Sequence, residues 1–179
     1  MRLWFAFLRG INLGKRQVKM AELRSAMEDG GFAAVKTVLA SGNVRFRSDR
    51  SETEVRSALE ALIEARFGFP VGVVLRSEEA FRRMLDNHPF GSLDPDADLT
   101  RHVVLFDHTL PAGLVIPDRP GHTEILRIDD REVFLAGYRQ PDGRYTEGIE
   151  GVLKPLYAAL PKGVLDTARN WNTMGKMLG

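Results

Sequence analysis

The chain has no cysteine among its 179 residues. That excludes disulfides, thiol nucleophiles, iron–sulfur ligation and zinc sites built on thiolates. It suits a reducing compartment, and the expected location is the cytoplasm. Histidine is scarce: only His88, His102, His108 and His122 are present, with no HExxH pattern or other compact metal-ligand spacing. No metal site is expected, and no cofactor can be named. No apolar run approaches the ~20 residues that cross a bilayer, so no membrane partner is expected. The apolar start, Met1 to Leu8, runs straight into Arg9-Gly10-Ile11-Asn12. It lacks the longer apolar stretch and cleavage site of a signal peptide and reads as a strand.

What is present is an ordinary globular balance, 44% hydrophobic and 27% charged, which supports a core. The net charge of +1 hides an asymmetry. Residues 1–50 carry +6, residues 51–130 carry −7 and residues 131–179 carry +2. A basic first third beside an acidic middle fits an anionic ligand at one end, or opposite charges meeting across the surface.

Patterning predicts an α+β protein of two subdomains. Leu3–Leu8 is an apolar strand; Met20, Leu23, Ala26 and Met27 form a helical stripe ended by Gly30-Gly31. Strands follow around Val35–Leu39 and Val44–Arg47, joined through Ser41-Gly42-Asn43. Ser51 with Glu54 makes a capping box for a helix striped by Val55, Leu59, Leu62 and Ile63. Val71–Leu75 completes βαββαβ, a ferredoxin-like unit with a four-stranded antiparallel sheet backed by two helices. The expected boundaries are residues 1–76 for this unit, 77–100 for a helix capped by Ser77 and a linker, and 101–179 for a similar α+β unit with an extra C-terminal helix. In that second unit we expect a strand at His102–Phe106 and a short helix over Leu110–Ile116. A hairpin follows about Asp129-Asp130, then a helix over Ile149–Leu160 that contains Pro155. The run Asp94-Pro95-Asp96-Ala97-Asp98 resembles the start of a calcium loop, but Leu99 stands in place of the glycine and Leu105 in place of the closing glutamate, so it reads as a linker.

In a βαββαβ unit the end of strand one lies beside the turn between strands two and three. That topology brings Arg9, Gly10 and Asn12 to Ser41, Gly42 and Asn43, at the edge where the first helix starts. Gly14, Lys15, Arg16 and Lys19 precede or open that helix without a good cap. Unpaired N–H groups and basic side chains together suit a bound phosphate or carboxylate. The loop is not a P-loop: three residues rather than four separate Gly10 from Gly14, and Arg16 follows Lys15. A turn whose glycines only satisfy backbone geometry is the competing reading. The second unusual stretch holds Arg169, Asn170, Trp171 and Asn172. It reads as a helix cap with a packed tryptophan, or as a stacking platform. No catalytic constellation stands out.

The motifs Phe7-Leu8-Arg9-Gly10-Ile11-Asn12-Leu13-Gly14, Val18-Lys19-Met20-Ala21-Glu22-Leu23, Ser41-Gly42-Asn43-Val44 and Ala168-Arg169-Asn170-Trp171-Asn172-Thr173 lie near both ends of the chain. On these the chain resembles, over essentially its full length, the family called domain of unknown function 1697. The resemblance implies a two-part α+β fold and no particular activity. One departure accompanies it. Relatives often carry a Gly-Arg-Ser-Lys-Leu-like stretch where this chain reads Gly143-Arg144-Tyr145-Thr146-Glu147-Gly148. If that stretch helps to bind a ligand, Glu147 in place of a lysine weakens the case for an anion in this protein.

Three functions compete. The first is a binding protein for a small phosphate- or nucleotide-like anion at the strand-one edge. The second is RNA or single-stranded DNA binding across the sheet, through Trp4, Phe5, Phe7 and Phe46 with Arg45 and Arg47. The third is an enzyme of unassigned reaction using the same edge. Oligomeric state is left open.

Overall fold

The unbroken apolar run of β1 (Arg2–Leu8) occupies the middle of a sheet, as a strand buried on both faces must. The computed structural model describes residues 1–145 and 149–179. The chain divides into two units, Met1–Asp86 with Gly175–Gly179, and Asn87–Met174. Thr146, Glu147 and Gly148, with the departure noted above, lie outside the described residues.

In the first unit, β1 is followed by α1 (Met20–Asp29), β2 (Ala33–Val38), β3 (Asn43–Ser48), α2 (Glu52–Phe67) and β4 (Val73–Ser77). The sheet order is β2-β3-β1-β4, antiparallel throughout, with Trp4 opposite Phe46, Phe7 opposite Asn43 and Leu8 opposite Val73. Alternation along β1 sends Trp4, Ala6 and Leu8 toward Leu23 and Met27 of α1 and Val55, Leu59 and Ile63 of α2. The start of α2 is fixed by the expected reciprocal cap. Glu54 N–H donates to Ser51 Oγ (3.3 Å), and Ser51 N–H donates to the Glu54 carboxylate (2.8 Å). That pairing holds the Glu54 carboxyl below its ordinary pKa, the Ser51 hydroxyl contributing most.

The other sheet face is covered as well. Helix α3 (Glu78–Asp86) leaves β4 directly, Ser77 Oγ accepting from Ala80 N–H (3.3 Å), and lays Phe81 flat on Phe5 with ring centres 4.0 Å apart. At the chain end, Arg45 donates to the Leu178 carbonyl (2.6 Å) and Lys36 to that of Gly179 (2.6 Å). Trp4, Phe5, Phe7 and Phe46 are therefore all buried. The aromatics that the nucleic-acid alternative would need are not open for stacking: Phe5 and Phe7 lie against Phe81 of α3, and Trp4 and Phe46 belong to the core on the opposite face.

The second unit has β5 (Leu99–Phe106), β6 (Thr123–Ile128), β7 (Glu132–Tyr138), α4 (Ile149–Ala159), β8 (Asp166–Asn170) and α5 (Trp171–Lys176), whose last residues belong to the first unit. Its sheet order, β6-β7-β5-β8, repeats that of the first unit strand for strand. As α3 follows β4, so α5 follows β8 without a break. The expected helix over Leu110–Ile116 is absent. Pro111 lies within the segment, Pro117 follows it and Gly113 has φ +73°, so it crosses as irregular backbone. Its apolar ends do the work of a helix face: Leu110 and Ile116 pack into the core with Val104, Phe106, Val133, Leu135, Val152, Leu153 and Leu156. Asp98, which closes the acidic linker, accepts from Tyr145 (2.6 Å) and Arg139 (3.2 Å), and these bonds hold its carboxyl below the ordinary value. No helix among the described residues is long and apolar enough to cross a membrane.

Candidate functional site

Three loops of the first unit meet at the C-terminal end of β1. Leu8 N–H donates to the Gly42 carbonyl (2.8 Å) and Arg9 N–H to that of Gly72 (2.9 Å), so β1 is clamped to both neighbours as it ends. Gly10 (φ +69°) then turns the chain out into the loop that leads to α1. Asn12 stitches this loop at two points. Its amide donates to the Ala40 carbonyl (2.7 Å) in the β2–β3 turn, and its side-chain oxygen accepts from Val18 N–H (2.9 Å), just before the helix. Asn43 is wholly buried and donates to the Val38 carbonyl (3.1 Å) and to Ser41 Oγ (2.8 Å), which closes the turn from within. Gly42 has φ +77°, and a Cβ there would lie 2.9 Å from Ile11 Cδ1 and 3.0 Å from Leu8 Cβ. The two loops pack too closely for any other residue.

The topology thus brings together Arg9, Gly10, Asn12, Ser41, Gly42 and Asn43. The asparagine amides are spent on main-chain partners and on Ser41; they shape the loops rather than face outward as ligand donors. A lone sequence cannot reveal this, because those partners are carbonyls and amides that any residue supplies.

Cations are in excess around these loops, although Glu22 stands in the first turn of α1 and the Glu60 carboxylate accepts from Val73 N–H (3.2 Å) beside Gly72. Arg2, Arg9, Lys15, Arg16 and Lys19 all precede Glu22, the first acidic residue of the chain. Arg9, Lys15, Arg16 and Lys19 are exposed, and the Arg16 guanidinium rests over the Phe69 ring at 4.9 Å. Lys19 occupies the N-cap position of α1 and gives no side-chain cap bond; Leu23 N–H bonds its carbonyl (3.0 Å). The amides ahead of Leu23 have no intrahelical carbonyl to reach, so the helix start presents donors and a partial positive charge. Glu22, in the first turn, approaches Lys19 Nζ at 4.0 Å; a pair this exposed is worth at most about 1 kcal/mol.

Arg169, Asn170, Trp171 and Asn172 belong to the second unit and have structural partners there. Arg169 is largely buried, which lowers its pKa to about 10, and it donates to Thr167 Oγ1 (2.6 Å) and the Ala168 carbonyl (2.8 Å). The Asn170 side chain accepts from Asn172 N–H (2.9 Å) and so opens α5. Trp171 packs against Phe90 and Phe134, with ring centres at 5.3 and 5.7 Å. His102 sits inside β5, where burial lowers its pKa and favours the neutral imidazole. A concavity of about 400 Å³ lined by Asp118, Arg119, Pro120 and His122 was not expected from the sequence. Its only sequence signal is the Pro120-Gly121 turn. Asp118 there accepts from Ile125 N–H at 2.6 Å. Among the described residues no three His, Asp or Glu gather in a metal-binding group.

No curated protein matches the chain. Among solved structures, a conserved bacterial protein from Streptococcus pneumoniae is similar over 99% of this chain and 96% of its own, with a TM-score of 0.70 and 23% identity. At that identity the likeness speaks for the fold, and it extends through the second unit. A family model described as "Protein of unknown function (DUF1697)" matches residues 1–134, which include the whole first unit up to Asp86 and the three N-terminal motifs but not Ala168–Thr173. The chain belongs to that family.

Proposed function

We propose that the edge formed by the β1–α1 loop, the β2–β3 turn and the start of α1 binds a small anionic ligand of the phosphate or nucleotide type. The observation that carries this reading is the exposed run of cations that leads into a helix start without a side-chain cap. Arg9, Lys15 and Lys19 supply charge. The first-turn amides of α1 and the Ser41 hydroxyl supply directional bonds, and Gly10 and Gly14 let the backbone turn closely around the anion. Asn12 and Asn43 act indirectly by holding the two loops in register. A cysteine-free protein of this kind fits the reducing cytoplasm. No reaction is assigned.

A thermal-shift titration against inorganic phosphate, pyrophosphate and nucleoside phosphates tests the reading. A ligand at about 100 times its dissociation constant adds about 2.7 kcal/mol of apparent stability. The Arg9→Ala/Lys19→Ala double variant is expected to melt like the parent without ligand. Its affinity for the anion should fall at least about tenfold, two charge-assisted contacts being lost. An unchanged affinity would remove the edge from consideration.

A further inference from the structure

A strand at the edge of a sheet turns half of its main-chain donors and acceptors outward, a template on which another strand can add. The first sheet ends on β2 and β4, the second on β6 and β8. The registers show which groups point away. Arg9 N–H bonds the Gly72 carbonyl, so Val74 and Arg76 bond β1, and Val73 and Leu75 turn outward. Asp107 N–H bonds the Leu165 carbonyl, so Thr167 and Arg169 bond β5, and Asp166 and Ala168 turn outward.

On both strands an outward carbonyl is taken by the arginine that follows it. Arg76 donates to the Leu75 carbonyl (2.7 Å) and Arg169 to that of Ala168 (2.8 Å). The two arginines hold the same place in the repeat. Each stands one residue before a helix cap, Ser77 for α3 and Asn170 for α5. The other outward groups are engaged as well. The Glu60 carboxylate accepts from Val73 N–H (3.2 Å) and that of Asp118 from Ile125 N–H (2.6 Å). Thr123 exchanges both main-chain bonds with Arg119 (2.8 Å each). On β2 a bulge between Ala33 and Lys36 and the exposed lysine itself oppose a further strand.

We infer that Arg76 and Arg169 are equivalent edge caps, which close β4 and β8 to strand addition by a second copy of the chain. Each occupies the carbonyl that an added strand would need, and sets a charge where that strand would have to bury it. The Ala168-Arg169-Asn170 motif thereby has a role that needs no ligand.

Sedimentation velocity of the full chain at rising concentration tests this. Arg76 is wholly buried, so Arg169 is the residue to change. Arg169→Met keeps the apolar stem and removes the donors and the charge; Arg169→Gln is the shorter neutral variant. Val133→Ala, in the core beside β5, is the destabilised control with both caps intact. With circular dichroism showing the fold retained, at least one Arg169 variant is expected to double in mass as concentration rises, β8 pairing with β8 of a second copy. The parent and Val133→Ala should stay monomeric. Arg169 variants that stay monomeric would overturn the inference, and so would equal association of Val133→Ala. A parent that associates with slowed amide exchange at Asp166 and Ala168 would overturn it without any substitution.

Discussion

Phe81→Ala is expected to destabilise the protein by about 3–5 kcal/mol, the range for truncating a buried aromatic to alanine. Phe81 is fully buried, its ring lies 4.0 Å from that of Phe5 at an interplanar angle of 15°, and Phe7 is 6.2 Å away. Helix α3 has only Phe81 and Met84 as buried residues, so one ring supplies most of its apolar anchor on β1 and β4. The deleted ring leaves a cavity over a strand that forms the middle of the first sheet, where collapse of the neighbours is hardest. Phe81→Leu keeps much of the volume and is expected to cost less than half as much. Urea unfolding followed by circular dichroism measures both. A Phe81→Ala loss below about 1 kcal/mol would mean that α3 does not close this face of the sheet.

Gly42→Ala should cost about 2–5 kcal/mol from two separable causes. Its φ of +77° strains any L side chain by roughly 1–2 kcal/mol. The added methyl also meets Ile11 Cδ1 at 2.9 Å and Leu8 Cβ at 3.0 Å, and overpacking of this kind costs about 1–3 kcal/mol. The Ile11 tip can rotate away, whereas Leu8 Cβ is fixed to β1. Gly14→Ala is the internal control. Gly14 has φ +60° with no atom within 4 Å of the added Cβ, so only the backbone cost applies. The difference between the two variants, read from denaturant midpoints at equal slope, measures how tightly the β2–β3 turn rests on the end of β1. Equal losses would mean that the two loops are not in close contact, and the shape of the candidate site would fail with them.

Much of the first unit is legible in the sequence. The apolar run of β1, the Leu23–Ala26–Met27 stripe of α1 and the Ser51–Glu54 box each carry a local signal, and βαββαβ order then dictates β2-β3-β1-β4. That order alone brings Arg9 and Ser41 to one edge. Period two divides Trp4 from Phe5 but does not reveal that α3 covers the second face, and the nucleic-acid alternative stays open on the sequence for want of that information. The second unit is harder to read. Leu110–Ile116 has helix-like apolar content, yet Pro111, Gly113 and the following Pro117 all weigh against a helix in so short a segment, and the first crossover of the repeat is irregular chain. Strand β8, Asp-Thr-Ala-Arg-Asn, is a short polar edge strand formed by pairing with β5, with Thr167 opposite Leu105 and Arg169 opposite Val103. Nothing in its own residues announces a strand. The shared sheet order of the two units therefore emerges only from the pairing.

Amide chemical-shift mapping by two-dimensional NMR, during titration with phenyl phosphate, tests the central claim most directly. The anion-binding account predicts saturable shifts concentrated at residues 9–22 and 39–43, with the largest at the first-turn amides of α1. Shifts confined to other parts of the chain, or none at saturating ligand, would contradict it.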